Sequence, residues 1–354
     1  NLDVIDVDGA ANFAADVTFA DGADIITASA GTSNFRAGVN AGNSIESGGN
    51  YNVVVGDEAG TAITTGNNNV AVGKSSLSAN TTGAGNNALG SSALLSNTTG
   101  ATNTALGHTS MNQNTTGSNN VAVGSGSLAN NTTAANNTAV GLSALFANTT
   151  GAANVAVGSN ALDANTTGGY NVGIGDRALG ANTTAGGNVG IGADSMFANT
   201  TGGSNVALGA DSLKANTTAS NNTAVGKAAL GANTTGTLNV AVGALALDAN
   251  QTGAANTAVG YNALSANTGD GATAVGKDAL ELNTTGINTA VGANALATVT
   301  SGTANVAVGN DALAVNTAAN NTAVGYASLT ANTTGTHNTA VGALALDANI
   351  GGHD

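Results

Sequence analysis

The chain contains no cysteine, no proline and no tryptophan, and aromatic residues make up only 3% of its 354 residues. Without cysteine there is neither a disulfide staple nor a thiol nucleophile, so stability has to come from regular hydrogen bonding and packing. So few aromatics exclude a conventional globular core, which would bury several large rings. Charge is scarce too, at 7% of residues, and its balance is acidic, with six Lys and Arg against twenty Asp and Glu and a formal net charge of −14. That balance argues against nucleic acid or an anionic membrane surface as partner. No apolar run reaches the ~18 residues of a membrane-spanning helix. The start carries neither a basic region nor an apolar signal segment, and it begins at Asn1 rather than Met, so the chain is read as processed or as the ordered part of something longer.

What is present is a single repeat. From residue 51 to 349 the chain restates Asn-[Val/Thr]-Ala-[Val/Ile/Leu]-Gly-x-x-[Ala/Ser]-Leu-x-Ala-Asn-Thr-Thr-Gly-x-x about eighteen times, with motif glycines from Gly56 to Gly342. Fourteen of the seventeen steps between these glycines are 17 residues, and the steps ending at Gly276, Gly292 and Gly325 are 16. A short fixed period means one solenoid coil per repeat, buried only by stacking on its neighbours. Gly, Asn and Thr abound, as they do in disordered chains, but disorder has no reason to keep Val and Leu in register.

With the motif glycine as position zero, −4 is Asn in every coil except at Ala272. Positions −3 and −1 are Val, Thr, Ile or Leu apart from Asn87, and −2 is Ala except at Val54, Gly173 and Gly190. This period-2 pattern predicts a strand that ends at the glycine, as at Val157–Gly158. Position +4 is Leu or Met from Leu77 onward, as in Leu162 and Leu179, while +5 is free to vary. A second short strand is expected there, Leu pointing inward and +5 outward. Asn-Thr-Thr-Gly at +7 to +10 reads as a turn whose glycine supplies a positive φ. The +7 residues Asn80, Asn97, Asn114, Asn131, Asn148 and Asn165 are expected to form an amide ladder, interrupted at Ile63 and Val299. The predicted fold is all-β: a parallel β-solenoid of about eighteen coils, roughly 85 Å long at ~4.8 Å per rung.

In-register stacking makes equivalent positions neighbours, which pairs Asp57 with Lys74 at +1 and Arg177 with Asp194 at +2, and also sets Asp194 against the like-charged Asp211. The −3 to −1 strand is apolar on both faces and uncharged in every copy, the mark of a strand buried on both sides. A single coil covers one face, so another copy of the chain is expected on the other.

The pentapeptide at Asn69–Gly73 and Asn256–Gly260 resembles the head repeat of YadA-like trimeric autotransporter adhesins. The resemblance implies a left-handed parallel β-roll with three chains packed around one axis, the pentapeptide forming the inner strand. Those heads repeat about every 14 residues, a difference from the 17 seen here. The longer form, with Ala-Leu and Asn-Thr-Thr-Gly, is similar to shaft repeats of phage tail-fibre-like proteins. Many of those end in a self-cleaving chaperone that is not found in this sequence. The resemblance covers residues 52 to 349 and implies a homotrimeric fibre.

Residues 1–50 read as a capping or stalk-joining segment. It holds an amphipathic strand around Phe13–Phe19, an acidic cluster (Asp3, Asp6, Asp8, Asp16, Asp21, Asp24) read as a solvated face, and a degenerate first coil at Asn34–Gly38. Residues 350–354 stop within a coil, leaving an edge that suggests a continuation.

Candidate chemistry is thin. No glycine-rich stretch carries the Lys and Ser/Thr of a phosphate loop. The calcium-binding nonapeptide is missing. His108, His337 and His353 occupy three different coil positions and form no metal set by stacking. Asp163 and Asp176 are conceivable as a paired-carboxylate site, but no coil departs in length to build a cleft. The Asn-Thr-Thr sequons are explained by the turn without a glycan. No enzyme activity, cofactor or metal is therefore expected.

The expected role is an extracellular structural or adhesive fibre, the shaft or head of a phage tail fibre or bacterial surface adhesin. It would contact a cell-surface glycan or protein through exposed variable residues, Phe146 and Phe197 at +5 and Tyr261 and Tyr326 at +1, which also fit tolerated surface variation. The alternatives are a pure spacer filament, and an ice-binding solenoid built on the recurrent Thr at +8 and +9. Adjacent threonines in a turn point in different directions, which counts against the last.

Overall fold

The computed structural model describes residues 31–352. Among them are nineteen strands and no helix. Every strand is three residues long, from β1 (Phe35–Ala37) and β2 (Val53–Val55) to β19 (Thr339–Val341). Each pairs with the next in parallel and in register, so that in mid-rod Val155, Ala156 and Val157 of β8 (Val155–Val157) face Val172, Gly173 and Ile174 of β9 (Val172–Ile174). The strands form one ribbon along one side of a β-solenoid. The degenerate coil at Asn34–Gly38 is its first rung, since β1 pairs with β2 residue for residue. The amphipathic strand and acidic cluster expected before residue 25 lie outside the described residues.

The expected second strand does not form. Positions +1 to +6 are a run of tight turns, with left-handed φ at +2 and +4. The +4 residues hold φ between 46 and 55°, Met111 and Leu179 being the extremes. That conformation costs a Leu ~1–2 kcal/mol. Interlocked hydrogen bonds offset it: Leu162 N–H donates to the Ala178 carbonyl of the next coil at 3.0 Å, and Asn165 N–H closes a local turn on the Leu162 carbonyl at 3.1 Å. Consecutive residues at +3 and +4, such as Ala161 and Leu162, are both buried, which a turn run allows and an extended strand does not. The inward direction of Leu is the same in both, with Leu162 and Leu179 wholly buried.

Core filling follows from the small residues. Ala at −2 and Ala or Ser at +3 are buried along the rod, leaving room for one Leu or Met per coil. The strand and the turn run are opposite walls of this core: a Cβ at Gly173 (−2) would stand 3.2 Å from Leu162 Cγ (+4). Position zero must be glycine for two reasons. Gly158 has φ +136°, and a Cβ there would stand 2.4 Å from the Gly175 carbonyl oxygen of the next rung.

At the Asn-Thr-Thr-Gly turn the positive φ falls elsewhere than expected. It is carried at −5, by residues such as Asn68, Asn119 and Tyr170. The +10 glycine marks a close approach instead, and alanine takes its place at Ala134, Ala185 and Ala219 with near-complete burial.

Candidate functional surfaces

Two asparagine columns seal one margin of the core. Asn165 (+7) donates from Nδ2 to Asn148 Oδ1 at 2.9 Å and to the Gly168 carbonyl at 2.9 Å, and accepts from Asn182 Nδ2 at 2.9 Å. The same geometry links Asn80, Asn97, Asn114, Asn131 and Asn148. The second column is the Asn at −4, which the sequence shows plainly but to which sequence reasoning assigned no role. Asn154 N–H donates to Asn137 Oδ1 at 2.9 Å, and its Nδ2 donates to the same Gly168 carbonyl at 2.9 Å. Both columns thus converge on the +10 oxygen and use both its lone pairs, which is what buried amides require. Their Nδ2 atoms are committed and wholly buried, so the Asn-Thr-Thr sequons offer no room for a glycan.

The columns falter where the period shortens. Asn267 Nδ2 reaches only the Gly269 carbonyl, and Asn250 Oδ1 is left buried without a donor. Val299 replaces Asn at +7, and there Asn288 Nδ2 turns to Asn283 Oδ1 at 3.0 Å. Thr at +8 is engaged as well, Thr166 Oγ1 donating to the Thr183 carbonyl at 3.1 Å, whereas Thr at +9 is exposed. The two threonines therefore do not form one flat array.

Outside the core the rod has two unlike faces. The strand face presents −3 and −1, with Val157 half-buried and Leu89 49% exposed. It is a continuous charge-free strip of Val, Thr, Ile and Leu, broken only by Asn87 between β2 and β19. The turn face is its opposite. Of the seventeen Asp, Glu, Lys and Arg residues between Tyr51 and Gly352, sixteen lie at +1, +2 or +5, on the wall across the core from the strands; Asp270 is the exception.

On the turn face, Arg177 Nη2 lies 2.9 Å from Asp194, its Nε 3.5 Å from Asp176, and its guanidinium carbon 5.3 Å from the Phe197 ring centroid. Lys214 bridges the like-charged neighbours Asp194 and Asp211 at 3.1 and 2.7 Å, a solution that pairwise reading of one column missed because Lys214 comes from +5. Those two carboxylates hold the Lys214 ammonium above its usual range. The ammonium of Lys277 is raised by its contact with Asp278. Partial burial pushes the Asp163 and Asp248 carboxyls up. The pairing of Asp57 with Lys74 does not form, and Glu58 instead accepts from Ser75 Oγ at 3.2 Å.

All four aromatic candidates are on this face, Phe146 42%, Phe197 36%, Tyr261 48% and Tyr326 58% exposed. Among the described residues no group of His, Cys, Asp and Glu is placed to hold a metal ion, and no helix is long and apolar enough to cross a membrane. No protein-family model matches the chain, and no curated protein resembles it significantly.

Proposed function

We propose that the chain is a structural, non-enzymatic fibre protein of the cell or virion exterior. It assembles as a homotrimer with the strand ribbons inside and presents the turn face for attachment to a cell surface. The observation that carries the reading is the segregation of charge. A rod about 85 Å long keeps one entire face uncharged and rich in Val, Leu and Thr, which for an isolated soluble chain is an aggregation hazard and for an assembling one is an interface core. Threefold packing suits three such strips because each chain then buries its own ribbon against two others, with no sheet face left in water. The likeness of the pentapeptide to the inner strand of YadA-like heads points the same way.

Placing charge on the strip tests the assembly. The double variant Thr138→Lys, Val157→Lys would set six ammonium groups around the proposed axis within two adjacent rungs. It is expected to give monomers that keep the native β-type circular dichroism. A variant that retains the native particle size would remove the strand face from the interface. Attachment is tested separately by titrating fluorescently labelled protein onto intact bacterial cells. Saturable binding to some strains supports it, and trimers that bind none of a broad panel would leave only the spacer role.

A further inference from the structure

The turn face carries one constellation that its ladders and ion pairs do not use up. The two phenylalanines of the turn face, Phe146 and Phe197, occupy the same column exactly three coils apart, hence about 14 Å along the rod. Each ring folds back one rung onto a glycine. A Cβ at Gly126 would stand 3.6 Å from Phe146 Cδ2, and one at Gly180 would stand 3.3 Å from Phe197 Cδ2 and Cε2. Both rings stay partly open to solvent, although the Arg177 guanidinium lies over that of Phe197. Most other +5 residues are small or charged, such as Ser78, Ala129, Asp248 and Ser265.

Between the two rings the surface is polar and held in place. It presents Asn160, whose side-chain amide makes no hydrogen bond among the described residues, the half-buried Asp163, and Arg177, whose guanidinium is held by Asp194 and by the Phe197 ring. Partly exposed aromatic rings bracketing a few held donors and acceptors suit the recognition of a pyranose chain. The axial C–H faces of the sugar stack on the rings, and its hydroxyls meet amide, carboxylate and guanidinium. The charge balance selects among sugars. Asp163, Asp176, Asp194 and Asp211 outnumber Arg177 and Lys214 two to one, which disfavours uronic or sialic acids. A protein partner is a poorer fit, since two separated rings do not make the contiguous apolar core of a standard protein interface.

We infer that the strip from Phe146 to Phe197 is a binding site for a neutral or N-acetylated pyranose oligosaccharide. This rests on the attachment reading and gives it a receptor class. A single open site of this kind binds weakly, and three copies around a trimer raise the avidity without any new contact.

The test is saturation-transfer NMR of the native protein with cellotetraose, maltotetraose, mannotetraose, N-acetylchitotetraose and, as the acidic arm, tetragalacturonic acid. Transfer to at least one neutral or N-acetylated chain is expected, with little to the acidic one. Phe146→Ser and Phe197→Ser should each weaken binding by about tenfold or more, because serine already occupies this column at Ser78 and Ser265 and leaves the coil intact. Tyr326→Ser, nearly eight coils from Phe197, should bind as the native protein does. The inference is overturned if the native protein binds none of these chains, if it prefers the acidic one, or if both Phe variants bind undiminished. Cell attachment that survives in the Phe variants would reject this site while leaving the attachment reading standing.

Discussion

Truncating one rung of the amide ladder is the sharpest probe of what holds the rod together. In Asn165→Ala the chain loses the bonds from Asn165 Nδ2 to Asn148 Oδ1 and to Gly168, and the one from Asn182 Nδ2 to Asn165 Oδ1. Two of the three partners keep another contact. The Gly168 carbonyl still accepts from Asn154 Nδ2 at 2.9 Å, and Asn182 still donates to the Ala185 carbonyl at 3.1 Å. Asn148 Oδ1 is left buried with no donor. Two net hydrogen bonds at about 1 kcal/mol each and one orphaned buried acceptor at about 1–3 kcal/mol give a loss of about 3–5 kcal/mol. Because each coil touches only its neighbours, the loss should stay local and is best read by native-state hydrogen exchange. Amides in peptides covering residues 145–190 should exchange about a hundredfold to several-thousandfold faster, while those covering 60–100 stay as they were. A change under about threefold in the first set would show that the ladder is a consequence of stacking and not a cause of it.

Three further outcomes follow from the same geometry. Gly158→Ala has to relieve both a φ of +136° and a 2.4 Å approach to the Gly175 oxygen, so local opening should become easier by about 2–4 kcal/mol. Gly151→Ala should cost less by the same exchange measurement: its Cβ would crowd the Gly168 carbonyl, but the backbone there has no positive φ and Ala134, Ala185 and Ala219 already occupy that position in other coils. The carboxyl of Asp248 is raised above 3.8 by burial, so the folded chain holds that proton more tightly than the unfolded one, and the site's contribution to stability falls as pH rises from 3.8 through the raised value. Asp248→Asn should therefore stabilise the protein at neutral pH in urea titrations, the gain vanishing below pH 3.8.

Much of this architecture is legible in the sequence because every coil repeats the same constraints. The period sets the rung, Ala at −2 and Leu at +4 set the core, and absence of charge at −3 and −1 marks the strand face. What failed was local conformation. A Leu that points inward next to a variable +5 residue that points outward fits a strand and a chain of turns equally well. Only the left-handed φ at Leu162 and its neighbours separates them, and Leu carries no composition signal for it. The −4 Asn was visible yet mute for a related reason. Its partner, the Gly168 carbonyl, is fourteen residues further on and belongs to the backbone, so no pairing of side chains reveals it. Lys214 likewise bridges across columns, where reasoning along one column could not reach.

The account's central claim is that the uncharged strand ribbon is the inside of a trimer. Its most direct test is the native mass by light scattering coupled to size exclusion. A particle near three times the 33.3 kDa chain is the expected result, and a stable monodisperse monomer would contradict it.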